Sequence, residues 1–328
     1  MNRRNSLAAT LALACASFAA PLLAQEKPRR IGFLAFSNPA AGKAYLEAFS
    51  DALAKLGWIE GRNIVINYEF AQGDVSRMDA LAAKLVALKP DLIFTTNAAS
   101  ALALQRATRT IPIVFASITD PVALGLVKTL SRPGGNFTGT SGTQSLEVFG
   151  KRLQLLKEWF PRLSRLAVMR NPDDPADEMG QPETLRRFAS QFGIQVTELN
   201  LKNLSDIDVV FAQLQRDKPE ALYIFANAVT YTHRETICRR VLTRGLPSVT
   251  GNTQVVEAGC LFAYAPRLEE VARETVPYID KILRGAKPAD LPVQQPTKYE
   301  LVINAKTAKA LGLTIPQSLL LRADRVIE

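Results

Sequence analysis

Histidine occurs once in this chain of 328 residues, at His233, and cysteine three times, at Cys15, Cys238 and Cys260. One imidazole and so few dispersed thiols form no set with the ligand spacing of a metal site, so no metal and no cofactor are expected. The G-x-S-x-G elbow of hydrolases is also missing; "GTSGTQ", from Gly139 to Gln144, has the wrong spacing. Nucleophile–base catalysis therefore lacks its parts, and carboxylates alone would have to serve an enzyme. Pairs such as Asp173 and Asp174 lie among prolines, where a solvated turn is the plainer expectation. His233 stands at a helix start beside Arg234, where a surface cap is expected. After the first 25 residues no run is long and apolar enough to span a bilayer. The net charge is +9, yet the basic residues are spread along helical stretches such as "RETICRRVLTR" and mixed with acids. Nucleic-acid binding needs them gathered on one surface, so none is expected.

A core, by contrast, is amply provided for. Hydrophobic residues make up 47% of the chain, which excludes wholesale disorder, and the length suits two domains. The opening "MNRRNSLAATLALACASFAAPLLAQ" has the anatomy of an export signal: basic Arg3 and Arg4, an apolar run from Leu7, then small residues. Cleavage is expected after Ala24, with Ala19 the other candidate. Arg3-Arg4 hints at twin-arginine export, though Ser6 stands where an apolar residue is usual; Ala12 weakens a lipoprotein motif at Cys15. The exported form would keep Cys238 and Cys260. An oxidising compartment permits a bond between them, but two separate buried thiols is the plainer expectation.

The rest alternates strand and helix. "RRIGFLAFS", "NIVINYEFA", "PDLIFTTN" and "IPIVFAS" read as strands; between them Tyr45, Phe49, Leu53 and Leu56, then Leu81, Leu85 and Leu88, fall at helical spacing. Such alternation predicts a parallel sheet covered by helices. "LSRPGGNFTGTSG", Leu130 to Gly142, breaks the pattern with a proline and four glycines, and the alternation then begins again. The chain is thus an α/β protein of two similar halves.

In doubly wound sheets, ligands lie beyond the carboxyl ends of the strands. Short polar residues gather there in both halves: Ser37 and Asn38, Thr96 and Asn97, Ser117 with Asp120, Asn171, Asn227 and Asn252. These nine are the candidate ligand-binding residues. "SNPAAGKAY", Ser37 to Tyr45, imitates a phosphate loop, but Ser37 replaces its first glycine and Ala44 its magnesium-binding hydroxyl. Asp120, before Pro121, has two roles open to it: capping a helix over "VALGLV", or contacting a ligand.

Several segments resemble the substrate-binding proteins of bacterial ABC transporters, in the family that includes tryptophan- and tyrosine-uptake binding proteins. They are "LAKLGWIEGRNIVINYEFAQGD", "ITDPVALGLVKTLSRPGGNFTG", "LLKEWFPRLSRLAVMRNP", "ILRGAKPADLPVQ" and the closing "INAKTAKALGLTIPQSLLLRADRVIE". The resemblance implies a type I periplasmic-binding fold: two doubly wound parallel-sheet lobes joined by three crossovers. The crossovers would lie at "NFTGTSG", near "EAGCLFAYAP" and at "KPADLPVQQPT". Residues 25–139 plus 263–289 would form the N-terminal lobe, and 140–262 plus 290–328 the C-terminal lobe, behind a signal at 1–24. It further implies a monomeric, non-enzymatic periplasmic receptor that binds a small polar or amino-acid-like ligand between the lobes and docks on an ABC permease in the inner membrane. A periplasmic sensor feeding a signalling partner would share every feature. Where members bind amino acids, acidic residues meet the amine. Asp120 would take that place in the first lobe, whereas neutral Asn227 stands where an acid can occur in the second.

Overall fold

The computed structural model describes residues 27–142, 147–175, 180–296 and 298–328. The expected export signal, 1–24, lies outside these residues. The first half runs β1 (Arg29–Ala35), α1 (Lys43–Lys55), β2 (Ile64–Phe70), α2 (Met78–Ala87), β3 (Leu92–Thr95), α3 (Ala98–Ala107), β4 (Ile113–Ile118) and β5 (Phe137–Ser141). Its strands form one parallel sheet in the order β2-β1-β3-β4-β5. β3 is buried along its whole length, as expected of a strand covered on both faces.

The second half runs α4 (Val148–Trp159), β6 (Arg165–Arg170), α5 (Gln181–Gln191), β7 (Gln195–Asn200), α6 (Ile207–Asp217), β8 (Ala221–Ile224), α7 (Ala228–Thr232), α8 (Arg234–Thr243), β9 (Ser248–Thr250), α9 (Thr253–Glu257) and β10 (Phe262–Ala265). Then come α10 (Leu268–Leu283), β11 (Glu300–Asn304), α11 (Ala305–Ala310), α12 (Gln317–Leu320) and β12 (Arg325–Ile327). The second sheet is ordered β12-β11-β10-β9-β8-β6-β7. One pairing departs from the expected all-parallel pattern: β11 lies antiparallel to β10, because the chain re-enters this sheet from the first lobe and so from the opposite end.

The chain crosses between the lobes three times: after β5, after β10 and before β11. β5 leads to α4. β10 leads to α10, whose Val271, Val276 and Ile279 pack with Phe49 of α1 and Val114 of β4 in the first lobe's core. The returning segment pairs with β5 through Ser141 N–H to Gln294 O (2.7 Å) and Gln294 N–H to Gly139 O (3.1 Å) before reaching β11. Boundaries placed at 139/140 and 262/263 fall inside β5 and β10. Gly139 is required at the first crossing: its φ is +147°, and a Cβ there would lie 1.9 Å from the Phe115 carbonyl oxygen. Two helical expectations fail. "VALGLV" is a run of turns, since Gly125 enters the left-handed region (φ +67°) before a helix can start. His233 closes α7 and precedes α8 without a side-chain capping bond. Cys238 and Cys260 are joined in a disulfide, which overturns the expectation of separate thiols; α8 and the chain entering β10 bring their Cα atoms to 5.0 Å.

Candidate functional site

The carboxyl ends of the two sheets face each other across a cavity of about 200 Å³. The first lobe gives it an aromatic wall. Phe33 of β1, Phe70 of β2 and Tyr45 of α1 line it, backed by Phe94, on which Tyr45 stacks with centroids 6.3 Å apart and planes 12° from parallel. Phe33 touches Phe49, Tyr68, Phe70 and Phe94 with centroids between 5.3 and 6.2 Å. Alternation along β1 and β2 puts these rings on one face of the sheet, and the i, i+4 spacing of Tyr45 and Phe49 lays both on the side of α1 that meets it.

Polar groups enter where strands end. Thr96 and Asn97 follow β3; Asn97 Oδ1 accepts from Ser100 N–H (2.9 Å), capping α3. Asn227 caps α7 through Thr230 N–H (2.9 Å), and Asn252 caps α9 through Gln254 N–H (2.8 Å). In each the oxygen serves the helix, and among the described residues the Nδ2 donors have no acceptor. Ser117 is held in the left-handed region (φ +61°) within a register shift between β4 and β5. That is a conformation a non-glycine residue adopts only where its surroundings impose it, commonly at functional sites. It turns Ser117, Ile118 and Thr119 to the cavity. From the second lobe come Asp174, Tyr231 and Gly251, and from the crossing after β10 Pro266. A second compartment of about 250 Å³ adjoins the first, sharing Phe36, Asn97, Asp174 and Ala228, and reaches outward past Asn171 to Asp173, which pairs with Lys202 at 2.9 Å.

The lobes touch across the cavity. Tyr231 Oη donates to the Ala41 carbonyl at 2.8 Å, and Arg234 Nη2 donates to the same oxygen at 3.3 Å. Arg234 Nη1 also donates to the Tyr231 carbonyl (2.9 Å), and its guanidinium lies 4.8 Å from the Tyr231 ring centre. Burial, then the nearby Tyr231, pushes the Tyr45 phenol far above its usual range; burial pulls His233 below the ordinary imidazole value.

Of the nine residues read from the sequence, the structure brings Ser37, Thr96, Asn97, Ser117, Asn227 and Asn252 to the cavity. Asn38, Asp120 and Asn171 do not line it. Asn38 Oδ1 folds back to accept from Ala41 N–H (2.8 Å). Asp120 Oδ1 accepts from Val122 N–H (3.1 Å) and Ala123 N–H (3.0 Å), so the carboxylate closes its own turn. Asn171 Oδ1 accepts from Asp173 N–H (3.0 Å) and borders the second compartment. The aromatic wall, Tyr231 and Asp174 were missed. A signal existed for Asp174: it stands four residues after β6 ends, within reach of the strand-end rule that selected Asn171. Tyr231 had none, because its part depends on how closely the second lobe approaches the first.

The family model described as ABC transporter substrate binding protein matches residues 31–327. A tyrosine-binding protein of Clostridioides difficile (strain R20291) is 29% identical over 289 residues, 88% of this chain and 82% of that protein. The crystal structure of an ABC domain in complex with L-Trp from Streptococcus pneumonia superposes with a TM-score of 0.84 at 27% identity, covering 92% of this chain and all of that one. A ligand-free, open structure of a substrate-binding protein with adhesive properties from Clostridium difficile is 30% identical over 91% of this chain and 99% of that one, yet reaches a TM-score of only 0.65. The chain is thus nearer in shape to the ligand-bound structure than to the open one of slightly higher identity, as its cross-cavity hydrogen bonds require.

Proposed function

The chain belongs to the family of ABC transporter substrate-binding proteins, and from that premise we propose that it captures an amino acid with an aromatic side chain between its lobes. It does so in the periplasm, as a monomer freed of its signal, and hands the ligand to an ABC permease in the inner membrane. The family is one of binding proteins, not enzymes. The carrying observation is the pairing, in one cavity, of the Phe33–Tyr45–Phe70 wall with Asp174. A flat ring gains from burial against aromatic faces, and an ammonium gains a charge-assisted hydrogen bond from a carboxylate. The Nδ2 donors of Asn97, Asn227 and Asn252 suit the oxygens of the same ligand. Residues 25–139 plus 263–289 and 140–262 plus 290–328 move as the two bodies, except that Thr140 and Ser141 go with the first through β5 and Ala263, Tyr264 and Ala265 with the second through β10. The relatives described as tyrosine-binding and as complexed with L-Trp support the ligand class.

The test is thermal denaturation with each common L-amino acid, followed by calorimetric titration of those that act. A ligand at a hundred times its Kd stabilises by about 2.7 kcal/mol. L-tyrosine, L-tryptophan or L-phenylalanine is expected to raise Tm, and the D-enantiomer is not. If no aromatic amino acid raises Tm while another class of solute does, the reading is wrong.

A further inference from the structure

Beneath the second lobe's wall lies a charge that nothing so far uses. Arg152 of α4 is only 7% exposed. Its Nε donates to the Tyr264 carbonyl (2.8 Å) and its Nη1 to the Tyr223 hydroxyl (2.9 Å), both neutral acceptors. The Phe149 ring lies 5.6 Å away. Among the described residues no carboxylate comes within 4.0 Å of it, and Nη2 donates to no acceptor. A guanidinium cannot shed its proton, so this is a buried, permanent and uncompensated cation, which proteins seldom tolerate without an opposite charge nearby.

Its position says where that charge would come from. Nη2, Cζ and Nη1 lie 2.8, 2.9 and 3.0 Å from the place a Cβ would occupy on Gly251. Gly251 lines the ligand cavity. The guanidinium therefore packs flat under a residue whose other side is cavity wall, and only glycine lets it come so close. Asn252, the next residue, lines the same cavity.

We propose that Arg152 is the buried counter-charge for an anionic ligand group, a carboxylate seated against the Gly251–Asn252 turn. This rests on the amino-acid reading above and extends it: the ligand's acid end lies toward the second lobe's β9 end, and the site selects free acids over neutral derivatives. The interaction acts across a single backbone layer in a closed, poorly hydrated space, where charges are weakly screened.

The experiment compares amino acids with their C-terminal amides, starting with L-tyrosine and L-tyrosinamide and using the whole L-amino-acid panel in pairs. Wild-type protein is expected to bind the acid about 10- to 100-fold more tightly than the amide, the span of a hydrogen bond to a charged group. Arg152→Met should erase most of that preference, and Arg152→Lys should keep part of it. If Arg152→Met does not fold, Gly251→Ala, which displaces the guanidinium, should reduce the preference in protein whose circular dichroism is unchanged. Equal binding of acid and amide by wild type overturns the proposal and leaves the amino-acid reading standing. So does a preference that survives both Arg152→Met and Gly251→Ala. If a non-aromatic pair binds instead, the aromatic reading falls and Arg152 is judged on that pair. If neither acid nor amide of any pair binds, both fall.

Discussion

Removing one oxygen atom, by Tyr231→Phe, should separate closure of the cleft from contact with the ligand. The ring stays and can still line the cavity; only the 2.8 Å hydrogen bond from Oη to the Ala41 carbonyl disappears. A neutral hydrogen bond contributes about 0.5–1.5 kcal/mol. Arg234 still donates to the same oxygen at 3.3 Å, so that carbonyl is not left bare and the loss should fall toward the lower half of the range. Apparent affinity scales with the fraction of protein able to adopt the closed form, so Kd should rise roughly twofold to fivefold. Adding Arg234→Leu also removes the guanidinium from the Tyr231 ring, an interaction of about 0.5–1 kcal/mol at an exposed site. Calorimetric titration with the best ligand from the amino-acid panel measures both variants. Small-angle scattering at saturating ligand should show closure preserved in both, with half-saturation at higher concentration. An unchanged Kd in the double variant would refute the view that these bonds hold the lobes together. A loss beyond about a hundredfold in Tyr231→Phe alone would show that the phenol touches the ligand directly.

Asp120→Asn should leave affinity within about twofold, because asparagine keeps the acceptor that Val122 and Ala123 use, whereas Asp174→Asn should weaken binding tenfold to a hundredfold, as expected for a charge-assisted bond; one titration series on both variants compares them. Reducing the Cys238–Cys260 bond, which closes a loop of 22 residues, should cost roughly 3 kcal/mol on the chain-entropy account; a thermal scan that does not move with reductant would contradict it. Burial lowers the pKa of His233 in the folded protein, so its contribution to stability is present above the free imidazole value near 6.5 and is lost as pH falls below that value toward the lowered one. His233→Asn should flatten that part of a Tm-versus-pH curve, and an unaltered curve would show that the imidazole plays no part.

Local signals in the sequence reached as far as local physics extends. Strand periodicity and polar strand ends located Ser37, Thr96, Asn97, Ser117, Asn227 and Asn252, since a parallel strand must exchange core for solvent or ligand at its carboxyl end. The same rule could not say which way a side chain turns after the strand. Asn38 and Asp120 turn back to their own backbone, a preference of short polar side chains in turns that competes with any ligand. The helix expected after Asp120 does not form because Gly125 takes the left-handed conformation, which ends the segment. Arg152 looked like any charged helix residue; its burial follows from the crossing of α4 over β8 and β10, which no short window of sequence contains. The disulfide was equally hidden, since 22 residues of separation fix no distance.

The return of α10 to the first lobe has a consequence for how the protein is made. The first lobe's core is incomplete without Val271, Ala272, Val276 and Ile279, and Trp58 Nε1 donates to Asp280 across 222 residues of sequence. A chain emerging N-terminus first thus presents β1 to β5 with one face covered only by α1, and partly bare, until almost the entire polypeptide has followed. Contacts this distant in sequence form slowly, so the first lobe's core is completed late. Delay of that kind would keep the chain threadable during passage through a membrane. Its cost is a period in which an open sheet face can associate with other chains.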